Sequence, residues 1–270
     1  MTEQTRIVER VRHELKFRVA KVVATERLTP KMARITLQSD EFSSFVSLAY
    51  DDHCKVFFAE PGQSEFPVPT RGENGLIWPN GARPEARDYT PRSYDNEKKT
   101  LTLDFVLHGD GPASGWAEKA GPGDTIGVGG PRGSFVVRGD YDWYLLVGDE
   151  TALPAIGRRL EELPRDARAI ALIEVADTDE IQTIDAPDGA EIKWVSREGA
   201  EPGDASLLLA AVRTIELPEG DGYVFVAGES AMSKAVRAYF VDERGHNPDW
   251  IKAAGYWQAG TEDFDDGHAH

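Results

Sequence analysis

At 270 residues, 40% of them hydrophobic, the chain is long enough for one or two domains with real cores, which excludes global disorder. Its 47 acidic residues outnumber 30 basic ones, and the formal net charge of −17 argues against nucleic acid and anionic membrane as partners while leaving room for a local basic pocket. The single cysteine, Cys54, excludes an internal disulfide and any CxxC metal site, and fits a reducing cytoplasm.

The opening MTEQTRIVERVRHELK is charged throughout and lacks the apolar stretch of a secretory signal. Short runs rich in Val, Ile, Phe and Thr follow: KFRVAKVVATERL (16–28), ARITLQ (33–38), HCKVFFA (53–59), RSYD (92–95), TLTLDFVLH (100–108) and DTIGVGG (124–130). TLTLDFVL alternates polar and apolar residues, as a half-buried antiparallel strand does. PGQSEFPVPTRGENG (61–75) reads as a long loop, and SGWAEKAGPGD (114–124) as a helix with a Ser114 cap and a glycine stop. Six short strands with turns between them predict a small barrel or sandwich.

After about Gly139 the pattern changes. WYLLVGD (143–149), ARAIALIEVA (167–176), AEIKWVSR (190–197), GYVFVAGE (222–229) and IKAAGYWQAG (251–260) read as strands. TALPAIGRRLEEL (151–163), DASLLLAAVRTI (204–215) and SAMSKAVRAYFVDERG (230–245) read as helices. Apolar strands alternating with helices predict a parallel sheet, with ligands beyond its carboxyl ends. The domains expected are 1–138 and 139–270. Among the longest apolar runs is LLLAAV at 207–212, far short of a bilayer span. The histidines are scattered, and the HAH end at His268 and His270 reads as a tail.

Two segments carry chemistry. In RDYTPRSYD (87–95), read as a strand, Arg87 and Tyr89 share one face about 7 Å apart, a spacing that lets a guanidinium hold a phosphate while a phenol ring packs on a flat heterocycle; taken alone, the stretch reads equally as an edge strand with a surface arginine and tyrosine. Thr90 adds a hydroxyl, and Pro91 makes the strand an edge or a bend. In HGDGPASGWAEKAGPGD (108–124), small residues at 109, 111 and 113 lead into a helix N-terminus where a diphosphate can approach.

RDYTPR, HGDGPASGWAEKAGPGD, GPRGSF (130–135), GDETALPAI (148–156) and GYWQAG (255–260), in this order over nearly the whole chain, resemble the siderophore-interacting protein family of flavin-dependent ferric-siderophore reductases. The resemblance implies a six-stranded antiparallel Greek-key FAD-binding barrel followed by a parallel-sheet NAD(P)H-type domain. It implies that Arg87, Asp88, Tyr89 and Thr90 hold the flavin and its phosphates. His108, Gly111, Pro112, Ala113, Ser114 and Trp116 would surround the diphosphate and adenine side, and Thr151 and Ala152 would approach from the second domain. Lys55 and Arg132 match basic positions of the family's siderophore pocket. A third basic site near GYW is absent: Gln258 stands there, with Lys252 as a substitute, so the siderophore's identity stays open.

For the electron donor, GDETALPAI lacks GxGxxG, and Asp149 and Glu150 sit where a pyrophosphate docks, which like charge disfavours. Ser196 and Arg197 in WVSREG resemble the 2′-phosphate site of ferredoxin reductases and are the NADPH candidates; NADH and ferredoxin remain open as donors. The expected activity is FAD-dependent reduction of a ferric siderophore, releasing ferrous iron in the cytoplasm, by a monomer. The flavin splits a two-electron donation into one-electron steps. The alternatives are a flavin reductase for another acceptor and an FAD-containing carrier that binds the siderophore without turnover.

Overall fold

The structure is a computed structural model that describes residues 6–59, 66–72, 75–109, 111–261 and 264. His268, His270 and residues 61–65, 73 and 74 of the expected long loop lie outside the described residues. The chain divides into two units, Arg10–Phe135, and Val136–His270 with Met1–Glu9.

The first unit is built from β2 (Phe17–Thr29), β3 (Met32–Gln38), β4 (Cys54–Phe58), β5 (Thr70–Gly72), β6 (Gly75–Ile77), β7 (Ala86–Tyr89), β8 (Ser93–Asp95), β9 (Thr100–Val106), α1 (Pro112–Ala117) and β10 (Thr125–Gly129). β1 (Ile7–Arg12) and β11 (Gly133–Arg138) pair as a two-stranded ribbon, and β5 and β6 form a small hairpin inside the expected loop. The other seven strands make one antiparallel sheet in the order β7-β4-β10-β2-β3-β9-β8. The count is seven, not six, because RDYTPRSYD is two strands.

That stretch explains the curl of the sheet. β7 and β8 are its two edges, and only Thr90, Pro91 and Arg92 separate them in the chain. The rings of Tyr89 on β7 and Phe105 on β9 lie 4.3 Å apart. A flat sheet would hold strands five places apart at roughly 24 Å, from about 4.8 Å per strand. The sheet therefore closes on itself, with proline at the seam, where no ladder donor is required. Inward residues from every strand share one core, including Ala20, Ile35, Cys54, Val56, Leu103, Phe105 and Ile126.

The second unit has β12 (Trp143–Gly148), α2 (Leu153–Glu162), β13 (Ala169–Val175), β14 (Glu191–Ser196), α3 (Ala205–Arg213), β15 (Gly222–Glu229), α4 (Ser230–Ala238) and β16 (Ile251–Trp257). Its five strands are parallel, in the order β14-β13-β12-β15-β16. β12, β13 and β15 are buried along their whole length, as strands covered on both faces must be. Trp143, Leu145 and Val147 pack with residues of α3 and α4. On the other face, the Gly148 position abuts Ala152 and Ile156, and Arg159 of α2 lies over the Tyr144 ring. Strand order reverses between β12 and β15, the usual ligand position in such sheets.

Candidate functional site

At the barrel seam the two predicted segments converge. Tyr89 packs on Phe105, whose ring is 5.7 Å from that of Trp116 in α1; Trp116 lies 5.6 Å from Phe58. Tyr89, Trp116, Ala113 and Ala117 all join the barrel core, so the end of β7 and helix α1 meet on one aromatic wall. Burial raises the Tyr89 hydroxyl above the ordinary tyrosine range, which keeps it a neutral donor. Thr90 is buried beside it. Arg87 keeps 28% of its side chain exposed and pairs at 3.2 Å with Glu85, itself 63% exposed. That partner is open to exchange for a phosphate. A phenol, a threonine hydroxyl and a planar guanidinium on an aromatic wall fit a flavin nucleotide.

Two details differ from the sequence expectation, and Arg92, which carried none, finds a place. The helix begins at Pro112 with Gly111 as its N-cap, and Ser114 is no cap. The Ser114 hydroxyl lies buried inside the first turn, where it accepts the His108 backbone N–H at 3.0 Å. It therefore ties the strand end to the helix. Asp88 turns away from Arg87 and Tyr89: strand alternation places it on the opposite face, where its carboxylate meets Lys55 at 2.9 Å. Arg92 belongs to a structural cluster, 3.7 Å from the buried Asp104, which also takes a bidentate pair of bonds from Arg34 at 2.7 and 2.8 Å.

On that opposite face Lys55 and Asp88 are 40% and 46% exposed. They flank a cluster of Phe17, Phe57, Phe66 and Trp78. Gly127 is fixed by this cluster, since a Cβ there would stand 2.6 Å from the rings of both Phe17 and Phe66. The turn carrying the exposed Arg132 follows Gly129, which pairs with Lys55. Lys252 is half-buried on β16 in the other unit. Ser134, His13 and Asp52 also meet, but the buried Ser134 hydroxyl sits between the other two, at 2.7 Å from His13 and 2.6 Å from Asp52. That is a structural relay with no exposed nucleophile.

At the carboxyl ends of β12 and β15 the second unit is densely acidic. Arg197 is buried and donates to both oxygens of Glu150, at 2.5 and 2.7 Å, and to Glu174 at 3.1 Å. Burial alone would lower its pKa, but the two carboxylates outweigh that and hold it charged. The Ser196 hydroxyl accepts the Glu198 N–H. The proposed NADPH arginine is thus already committed, and a 2′-phosphate would have to displace a carboxylate. Burial pushes Glu174 up to about 7 despite Arg197. Burial, and then the charge of Glu150, raise Asp149 as well. Thr151 gives its N–H and hydroxyl to Asp149, and Ala152 is fully buried. Glu174, in the apolar run AIALIEV, and Glu229, in GYVFVAGE, were missed from sequence; a lone charge in a buried strand was the available signal.

The comparisons fall in line with these two units. A profile described as siderophore-interacting FAD-binding domain matches residues 21–135, and one described as siderophore-interacting protein matches residues 141–260. The chain is 38% identical to the NADPH-dependent ferric-chelate reductase of Escherichia coli, over 96% of this chain and 100% of that one. It is 33% identical to the ferric vibriobactin reductase ViuB of Vibrio cholerae, over 91% of each. The crystal structure of a siderophore utilization protein from T. fusca superposes with a TM-score of 0.87 at 41% identity, covering 97% of this chain and 99% of that one.

Proposed function

The chain belongs to the siderophore-interacting protein family, and on that premise we propose that it is an FAD-dependent oxidoreductase that reduces ferric siderophores with electrons from NADPH. The observation that carries this reading is the packing of Tyr89, which Thr90 follows and Arg87 precedes by two residues, with Phe105 and the Trp116 of α1 on one aromatic wall at the barrel seam. A bound FAD would supply the exchange between a two-electron hydride donor and the one-electron steps that ferric chelates require.

The chain's own residues bind and orient. Arg87 exchanges Glu85 for a cofactor phosphate. Tyr89 and Thr90 offer a flat ring and hydroxyls to the flavin, and the ring of Trp116 extends the wall towards the adenine side. Lys55 and Arg132 attract the anionic chelate locally, which a protein of net charge −17 can do only with cations close to the substrate. Ferrous iron binds hard oxygen ligands more weakly than ferric iron, so the siderophore releases it. No general base is needed, since the substrate brings the iron's ligands with it. With NADPH as donor, the compartment this reading proposes is the cytoplasm, and a reduced ferredoxin is the alternative donor.

The test is direct. The purified protein should show a flavin spectrum, bleach with NADPH without oxygen, and recover colour on adding a ferric siderophore while a ferrous trap develops. Protein that takes up no FAD would overturn the reading. Bleaching without ferrous product would point to another acceptor, and siderophore binding without bleaching to a carrier.

A further inference from the structure

In a doubly wound sheet, phosphates dock on the N-termini of the helices that leave the switch-point strands. Here those helices are α2, which follows β12, and α4, which follows β15. The chain caps α4 with the carboxylate of Glu229 and sets that of Asp149 in the turn between β12 and α2, whose own N-cap, Ala152, has no side-chain cap. Asp149 is buried; its Oδ1 accepts the Thr151 N–H at 2.9 Å and the Thr151 hydroxyl at 2.5 Å. Its Oδ2 accepts the Glu229 N–H at 2.9 Å and the Trp257 indole N–H at 2.8 Å. Glu229 in turn accepts the Met232 N–H at 2.9 Å and so caps α4.

The backbone is shaped around this arrangement. Gly228 has φ +137°, and a Cβ there would stand 2.5 Å from Asp149 Oδ2. Only glycine lets β15 come this close to the carboxylate. Arg197 is held by Glu150 and Glu174, so the partners of Asp149 are all neutral donors. A carboxylate held by four neutral donors therefore stands where a diphosphate would be received.

We infer that Asp149 is a specificity-determining residue for the electron donor: its carboxylate occupies the diphosphate position and penalises a phosphorylated nicotinamide without touching the ring that carries the hydride. This rests on the reading that a dihydronicotinamide reduces FAD bound to this chain.

The test uses FAD-loaded native protein and Asp149→Asn, without oxygen, with two donors: NADPH, and 1-benzyl-1,4-dihydronicotinamide, which carries no phosphate. Flavin bleaching gives kcat/KM for each. In Asp149→Asn the ratio of NADPH to the neutral donor should rise about tenfold, through KM, the scale of one removed like charge. A merely structural role would move both donors together. A ratio that stays unchanged or falls would overturn the inference. If Asp149→Asn loses FAD or melts early, Glu229→Gln, which keeps an oxygen for the Met232 N–H, must shift the ratio in the same direction, and no shift overturns the inference. Failure of both donors to bleach an FAD-loaded native protein would instead sink the functional reading.

Discussion

Arg87 and Arg197 look alike in sequence: each lies at a strand end, within two residues of a hydroxyl side chain and near acidic ones. In the structure they differ. Arg87 is 28% exposed and paired with an exposed Glu85, while Arg197 is 5% exposed and gripped by two carboxylates that are themselves largely buried. An exposed pair contributes about 0–1 kcal/mol, so it yields readily to a stronger anion. Breaking a buried pair leaves a charge without solvent or partner, which is strongly destabilising. Availability for a ligand is therefore set by the burial of the partner and not by the arginine. On the proposed function the barrel seam is the receiving site, whereas the carboxylates at the crevice of the parallel sheet already satisfy its arginine.

The hardest test of that contrast removes each guanidinium. Arg197→Ala strands Glu150 and Glu174 and should cost about 3–5 kcal/mol, lowering Tm by on the order of 10 °C at roughly 2–4 °C per kcal/mol. A loss below about 2 °C in a thermal melt would show that the triad does not hold the second unit together. Arg87→Ala should do the reverse. Its melting point should barely move. Its FAD affinity should fall about 10–100-fold, the worth of a charge-assisted hydrogen bond of about 1.5–3 kcal/mol. Flavin absorbance after gel filtration reads this directly, and full FAD retention would remove Arg87 from the site.

The contrast also shows what was legible in the sequence. Periodicity marked the strands of the parallel sheet, because a strand buried on both faces is a continuous apolar run, as WYLLVG and AIALIEV are. RDYTPRSYD was rightly placed at an edge by Pro91. That it joins the two edges of one sheet depends on strand order, which no local pattern encodes. Ser114 followed a cap rule, but Pro112 is the better first helical residue and starts the helix earlier. Arg197 was read as a ligand because its partners, Glu150 and Glu174, lie 47 and 23 residues away. Asp88 was grouped with its neighbours in sequence, although strand alternation alone sends its side chain to the other face.

A gentler change sharpens the acidic side of the comparison. Glu174 titrates at about 7 in the folded chain, above its ordinary 4.5, because burial disfavours its charge. Its folded form holds a proton that the unfolded form has lost, so stability falls as pH rises from about 4.5 through about 7. Native protein should therefore melt higher at pH 5.5 than at pH 8. Glu174→Gln should flatten that difference while keeping the Glu150–Arg197 pair. If the two pH profiles run parallel, Glu174 is ionised throughout and Arg197 compensates it fully.

The smallest effects belong to Lys55 and Asp88, where the receiving side makes a prediction of its own sign. The pair is 2.9 Å apart but well exposed, so its strength is discounted by solvent. If Lys55 attracts the ferric chelate, Asp88 competes for it. Lys55→Ala should raise KM for an anionic ferric siderophore about fivefold, and Asp88→Asn should lower it about twofold, both being fractions of the roughly 1 kcal/mol available to an exposed charge. FAD content should stay intact in Lys55→Ala, because Lys55 lies on the face opposite Tyr89. A cationic ferric chelate should reverse both signs, since it gains from the carboxylate and loses from the lysine. Equal shifts for anionic and cationic chelates would show that the two residues act on the shape of the barrel edge and not on the charge of the substrate.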